Sequence, residues 1–340
     1  MNGPGSAAGV PASDSITLPP AVCVLGLGLI GGSLLRAAGG MLPASGWSPT
    51  ASTRTDAGAA GFEVHQQLET ALEWAADHHA LVVLAAPVTA FDRLLRKITR
   101  YSPEVLLTDV GSVKGPVAEQ VSAIAPHTRY IGSHPMAGTT KSGFGAGNDQ
   151  LFRGAVWVTC LDATSSLDAW DAIAGLALAV GSTVVPCTAV AHDQAVARIS
   201  HLPHLLALAL AQVAELGGPL ALSLAAGSFT DATRVAATRP ELIRVMCEAN
   251  REPLVDAFDD ALGILGVARG SLASTGSLQK ITDGGHDARM AFEHRQDDLR
   301  DVRIEQPSLD DLITLGNSGG FVSQIQRTAS TRTVLGREPS

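Results

Sequence analysis

Ala21-Val-Cys-Val-Leu-Gly-Leu-Gly-Leu-Ile-Gly-Gly-Ser33 is the stretch whose reading decides the fold. Its first half is a short apolar run with β-branched valines, the pattern of a parallel strand buried on both faces. Gly26, Gly28 and Gly31 follow at the spacing G-x-G-x-x-G, and Leu34, Leu35 and Ala38 continue as one face of a helix. Each glycine has a mechanical task. Gly26 permits the tight turn, Gly28 lets a pyrophosphate approach the backbone, and Gly31 lets helix and strand pack closely. The helix N-terminus adds free N–H groups and a partial positive charge. Gly26, Gly28, Leu29, Ile30 and Gly31 are therefore the expected dinucleotide loop. The competing reading is an ordinary glycine-rich turn between a strand and a helix.

A chain of 340 residues leaves room for two domains and an ample core. With 46% hydrophobic and 17% charged residues it is globular rather than disordered. Net charge is −9 and no Lys/Arg run is present, which argues against a nucleic-acid or membrane-surface partner. Cys23, Cys160, Cys187 and Cys247 are scattered without a C-x-x-C pair, as expected of reduced thiols in a cytoplasmic protein. Residues 1–20 are Gly/Ala/Pro/Ser-rich and read as a disordered leader rather than a signal peptide. No apolar segment is expected to reach the roughly 20 residues that span a bilayer.

From residue 21 the chain alternates strands and helices, which implies a doubly wound α/β sheet. The second strand ends near Ser48, where an Asp or Glu commonly holds the ribose 2′-hydroxyl of NAD. Here stand Ser48, Thr50, Ser52, Thr53 and Arg54, which would tolerate a 2′-phosphate, so NAD and NADP both stay open. Ala80-Leu-Val-Val-Leu-Ala-Ala-Pro87 is a buried strand whose end, Ala86 and Pro87, should lie beside the cofactor. The next strand closes on Asp109, also placed in the cofactor groove. A short strand at 129–131 leads to Ser133-His-Pro-Met-Ala-Gly138. Residues 139–150 are expected to be a mobile glycine-rich flap, and strands 156–160 and 183–186 to complete the sheet edge. This gives a dinucleotide domain over 21–187. Ala/Leu-rich helices follow over 188–285, with apolar surface beyond what one bundle buries, as a dimer would need. Residues 286–340 read as a small appendage with a turn at Asp283-Gly-Gly-His286 before it and a frayed last dozen residues.

His134 sits at the carboxyl end of a strand, the edge where open α/β sheets bind ligands, and Ser112 ends the neighbouring strand. A histidine with a serine partner suits a general base acting on an alcohol. Asp193, Ser200 and His204 fall on one face of an ideal helix, a polar stripe that a wet pocket between domains would explain. Asp231 and Arg234 share another helical face, and a guanidinium is the natural grip for a carboxylate. His201 and His204 lack a familiar set of companion ligands, so no metal is expected.

Taken together, Gly26-Leu-Gly-Leu-Ile-Gly-Gly-Ser33, Asp109-Val-Gly-Ser-Val-Lys114, Ser133-His-Pro-Met-Ala-Gly-Thr139, His192-Asp193, Ser200-His-Leu-Pro-His204 and Phe229-Thr-Asp-Ala-Thr-Arg234 resemble the prephenate/arogenate dehydrogenase family of tyrosine biosynthesis. The resemblance covers about residues 20–270. It implies a Rossmann-type domain followed by an all-α dimerisation domain in a homodimer. It also implies NAD- or NADP-dependent oxidative decarboxylation of prephenate or arogenate, and tyrosine as an inhibitor. In it His134 would draw the proton from the substrate hydroxyl and Ser112 would orient both. Arg234 would bind a carboxylate, His204 would contact the substrate, and Asp193, Asp231 and Ser200 would line that side. Thr140 stands where many members carry a glutamate. A β-hydroxyacid dehydrogenase would need a catalytic lysine in the helical part, yet the lysines are only Lys97, Lys114, Lys141 and Lys280. A nucleotide sensor without catalysis would have no use for His134, His204 and Arg234.

Overall fold

The computed structural model describes residues 17–139, 141–328 and 330–340; most of the expected leader, and Thr140, lie outside them. Six strands form the first sheet: β1 Val22–Leu25, β2 Ala44–Trp47, β3 Glu63–Val64, β4 Leu81–Leu84, β5 Leu106–Asp109 and β6 Arg129–Tyr130. Their order is β3-β2-β1-β4-β5-β6, parallel throughout. Order reverses between β1 and β4, so a crevice opens at their carboxyl ends, where such sheets take ligands. The runs of β1 and β4 are fully buried because helices cover both faces of the sheet.

The chain then departs from a single extended sheet. β7 Gly132–Pro135, β8 Val156–Cys160, β9 Thr183–Cys187, β10 Leu299–Glu305, β11 Phe321–Arg327 and β12 Arg332–Pro339 make a second one, ordered β10-β12-β11-β9-β8-β7. β8 and β9 therefore do not complete the dinucleotide sheet, which stops at the two-residue β6. Residues β7 and β8 pair antiparallel, with His134 opposite Val158. The tail is no appendage either. β11 docks on β9 through Val322 and Val184. Leu312, Leu315, Val322, Ile325 and Val334 are buried in the same core as Trp157 and Trp170. Asp171, wholly buried in helix Leu167–Ala179, takes hydrogen bonds from Arg327 and, at 2.8 Å, from Arg332. The last residues are polar on one side because β12 runs between β10 and β11, not because they fray.

Helices dominate from residue 189 to 293. Asp283–His286 is not a turn but lies inside helix Gln279–Glu293, both glycines being carried by their neighbours. The run Ala189–Leu216 is, against expectation, long and apolar enough by length and composition to cross a membrane. The polar residues His192, Asp193, Arg198, His201 and His204 interrupt it, which hid its length in a residue-by-residue count. Much of the helical surface is apolar and open: Leu216 is 88% exposed and Leu224 73%, while the local core is only a small cluster around Ile243, Cys247 and Leu254.

Candidate active site

The glycine loop has the geometry its sequence demands. Gly26 has φ +113°, and a Cβ there would press on the Ala85 carbonyl carbon at 2.6 Å and the Ala86 nitrogen at 2.8 Å. A Cβ on Gly31 would lie 1.9 Å from the Gly26 oxygen. Gly28 is different: nothing lies within 4 Å of a Cβ built on it. Leu29 opens helix Leu29–Gly39, whose N-terminus faces that open space, and the helix is joined to Gly28 without a side-chain cap. The free N–H groups and the room above Gly28 fit a pyrophosphate. Gly28→Ala should fold with an unchanged melting temperature yet lose at least about tenfold in dinucleotide affinity, since it fills the approach path alone. Gly31→Ala should lower the melting temperature by forcing helix from strand. Calorimetry on both variants, with and without dinucleotide, separates the two.

At the end of β2, Ser48 is buried and its hydroxyl accepts the Thr50 N–H at 3.3 Å. Arg54 donates to the carbonyls of Ser48 at 2.7 Å and Pro49 at 3.1 Å and to Gln66 at 3.3 Å. Ala86 and Pro87 follow β4 on the same edge, against Gly26. Asp109, however, does not point into the groove as a cofactor ligand. It is fully buried; its carboxylate accepts Tyr130 Oη at 2.7 Å, the Gly111 N–H at 2.8 Å, and the Lys114 ammonium, itself buried. Lys114 also donates to the Ser133 carbonyl at 2.8 Å. The Asp109 side chain thus fixes the 110–114 loop beside β7. The expected flap is also held: Phe144 is buried with the Arg36 guanidinium 3.8 Å from its ring centroid, and the Asn148 N–H donates to Ser33 Oγ at 2.9 Å.

His134 projects from β7, but its partner is not Ser112. Among the described residues Ser112 makes no side-chain hydrogen bond. Instead His134 Nδ1 lies 2.9 Å from His192 Nε2, His192 Nδ1 lies 2.7 Å from Asp193 Oδ1, and both rings are nearly enclosed. Asp193 also accepts the Lys114 N–H on Oδ1 and the Gly115 N–H on Oδ2, each at 2.8 Å. Burial alone would raise its carboxyl; the bonds from His192 and the two N–H groups outweigh this and hold it below the usual carboxylate range. A carboxylate can only accept, so His192 carries its proton on Nδ1 and offers a bare Nε2. His134 must then donate from Nδ1, which leaves the lone pair of its Nε2 free. Burial, and then the neighbouring His192, Lys114 and His201, press the His134 pKa well below the ordinary histidine value. The ring is therefore neutral at neutral pH and can accept a proton.

The helical half shows why the expected polar stripe fails. Ala197–His201 is a π-helical turn, and Pro203 follows it. Proline lacks an N–H and crowds the carbonyl four residues back, so the helix widens there and the 100° count is lost. Asp193 faces the dinucleotide half, whereas His204 Nδ1 bonds back to the Ser200 carbonyl at 2.8 Å. His201, weighed from the sequence only as a metal ligand, is fully buried; its Nδ1 meets Asn250 Nδ2 at 3.1 Å, and Asn250 also donates to the Asp193 carbonyl at 2.8 Å. Burial first, despite the attraction of Asp193, lowers the His201 pKa to about 4. Arg234 and Asp231 are exposed and make no ion pair among the described residues, and neither they nor His204 bond to His134. No group of three or more His, Cys, Asp or Glu residues among those described is arranged to hold a metal.

Comparison with known proteins bears on this arrangement directly. Residues 32–185 match the model described as prephenate dehydrogenase, nucleotide-binding domain, and residues 188–266 the model described as prephenate dehydrogenase, dimerization domain. Cyclohexadienyl dehydrogenase of Zymomonas mobilis is 31% identical over 266 residues, covering 74% of this chain and 88% of that protein. The chain belongs to the prephenate dehydrogenase family. Prephenate dehydrogenase of Bacillus subtilis is 31% identical over 187 residues, 53% of this chain, so the match spans about half of that relative, 50%. A Corynebacterium glutamicum structure described as a prephenate dehydrogenase is 45% identical, with TM-score 0.79 over 82% of this chain and 90% of that one. Prephenate dehydrogenase of Aquifex aeolicus, solved with hydroxyphenyl propionate and NAD+, is 25% identical with TM-score 0.73, covering 83% of this chain and all of that one, 100%. The prephenate dehydrogenase fold, a parallel dinucleotide-binding domain followed by a helical one, is thus the fold of this chain.

Proposed function

We propose that this chain oxidatively decarboxylates prephenate, with His134 as the base. The observation that carries the reading is the directed chain Asp193–His192–His134, which fixes one tautomer and leaves His134 Nε2 open at the sheet edge beside the dinucleotide groove. When bound there, NAD or NADP supplies the acceptor for the hydride leaving the hydroxyl-bearing ring carbon. His134 Nε2 takes the hydroxyl proton as that carbon becomes a carbonyl. The charge that appears on its ring is shared with His192 and stabilised by Asp193. Loss of carbon dioxide then aromatises the ring, a strong enough driving force that a base of low pKa suffices. Arg234, with no ion-pair partner among the described residues, takes a substrate carboxylate in a bidentate grip, and His204 and Ser200 line the same side. Ser112 orients the substrate hydroxyl rather than the histidine.

Ser48, Thr50 and Arg54, with no carboxylate among residues 44–55, support acceptance of a 2′-phosphate as well as of NAD. The open apolar helices support a homodimer, and the four free cysteines support a reducing, cytoplasmic setting. The test is a steady-state assay of the purified protein with prephenate and with arogenate, each with NAD and with NADP. Reduced nicotinamide with prephenate is the expected result. Activity with arogenate alone would transfer the reading to that substrate, and no reduction in any combination would overturn it.

A further inference from the structure

Cys160 and Cys187 are the last residues of β8 and β9 and stand in register with each other. Register partners on neighbouring parallel strands point to one face, with backbones about 4.8 Å apart. A disulfide needs Cα atoms roughly 4.4–6.8 Å apart, so the pair meets that condition without movement of the sheet. Both thiols are free. Each thiol bears on the other: Cys160 is pushed well up by Cys187 and by burial, and Cys187 is drawn down by Cys160. The other two cysteines differ. Cys23 is buried with its pKa pushed up to about 12 by desolvation, and Cys247 is raised by burial; neither has a thiol neighbour.

The position of the pair gives it consequence. Cys160 lines a cavity of about 550 Å³ together with Lys114, Tyr130, Gly132, Asp162 and Thr188. That cavity lies behind the catalytic wall, away from Gly28 and the dinucleotide groove, and is wide enough for a small oxidant. Cys187 precedes Thr188, the N-cap of helix Ala189–Val196, and the Thr188 carbonyl accepts the backbone N–H of His192 at 3.0 Å. The residue next to Cys187 thus anchors the first turn of the helix that presents His192 and Asp193.

We propose that Cys160 and Cys187 are a peroxide-sensitive pair whose disulfide slows the enzyme by displacing His192. The Cys187 thiolate attacks one oxygen of hydrogen peroxide; the O–O bond breaks and the other oxygen leaves, protonated, as water. The resulting sulfenic acid is attacked by the Cys160 sulfur, which loses its proton as the hydroxyl departs as a second water. Two thiols and one peroxide become one disulfide and two waters, the sulfurs oxidised and the peroxide reduced. Cys187 then turns toward Cys160 and carries Thr188 with it, the Thr188 carbonyl shifts under the His192 N–H, and the His192–His134 bond is pulled out of line.

The control of turnover rests on the dehydrogenase reading above; formation of the disulfide does not. The test uses the full-length reduced protein, treated with hydrogen peroxide, alkylated and mapped by mass spectrometry without reduction. The expected result is a crosslinked peptide pair containing Cys160 and Cys187, two alkylated cysteines remaining, and turnover lowered about ten- to a hundredfold, the scale of an ångström's misplacement. Dithiothreitol should restore both. Cys160→Ala should keep the untreated rate and lose the peroxide response. Absence of the 160–187 crosslink overturns the pair. A crosslink with unchanged turnover, or a Cys160→Ala variant that peroxide still inhibits, overturns the control. An untreated protein without turnover would count against the dehydrogenase reading, and the crosslink would still be scored by mass.

Discussion

His134→Asn should lower kcat by about 10²–10⁴-fold, the contribution of a positioned general base, with KM for prephenate nearly unchanged. Asparagine preserves a polar group next to His192 but offers no nitrogen lone pair to a hydroxyl proton. The substitution leaves the backbone pairing of His134 with Val158 intact, which makes the fold tolerant of the change. The pH profile gives the second arm. Because burial and the neighbouring His192, Lys114 and His201 press the His134 pKa well below the ordinary 6.5, the wild-type rate should stay level through that value as pH falls. The rate should decline only at more acid pH, as His134 takes a proton in the free enzyme. A rate that breaks near 6.5 would mean a solvent-like histidine and would contradict the enclosed chain. His201 adds a stability effect with the same sign. Its pKa is about 4 folded and near 6.5 unfolded, so the unfolded chain binds more protons in between. Stability should therefore be full above pH 6.5 and fall toward pH 4, by about 3 kcal/mol from this residue. Urea denaturation at pH 7 and pH 5 measures it.

Lys114→Met should be the most destabilising single change in the dinucleotide half. Lys114 and Asp109 are 1% and 0% exposed, and the ammonium satisfies both that carboxylate and the Ser133 carbonyl. Methionine fills the volume but abandons a buried negative charge, leaving only Tyr130 and the Gly111 N–H to solvate it. Removing one partner of a buried pair costs about 3–5 kcal/mol. The denaturation midpoint should move accordingly, and Lys114→Met with Asp109→Asn should recover part of the loss, because the orphaned charge is gone. A loss below about 1 kcal/mol would match an exposed pair and refute the burial. The Lys114 backbone N–H, which holds Asp193, is untouched by the substitution, so kcat in the surviving folded fraction should change far less than stability.

The dinucleotide half was legible because its signals are local. One strand, three glycines and one helix specify the loop, and the crevice follows from the strand–helix alternation. His134 at a strand end was legible for the same reason. Its partner was not: His192 lies 58 positions away, and their meeting depends on β7 pairing antiparallel with β8 in a second sheet. Short apolar runs such as 156–160 announce a strand without naming its neighbour. Asp109 was misassigned because the end of a Rossmann strand suggests a ligand residue. Only the structure shows that Lys114 and Tyr130 consume its carboxylate. The stripe through Asp193, Ser200 and His204 assumed a regular helix, and Pro203 was the available warning that it was not.

The second sheet is threaded so that β12, which follows β10 and β11 in the chain, lies inside it between those two, while β7 with His134 forms its opposite border. The first sheet uses only residues 22–130 and can close while the ribosome is still at work. The catalytic sheet cannot: residues 299–339 supply three of its six strands. A nascent chain can therefore acquire its dinucleotide cleft well before its histidine border is fully braced. Termination ahead of residue 299 should yield a species that captures nucleotide but does not turn over.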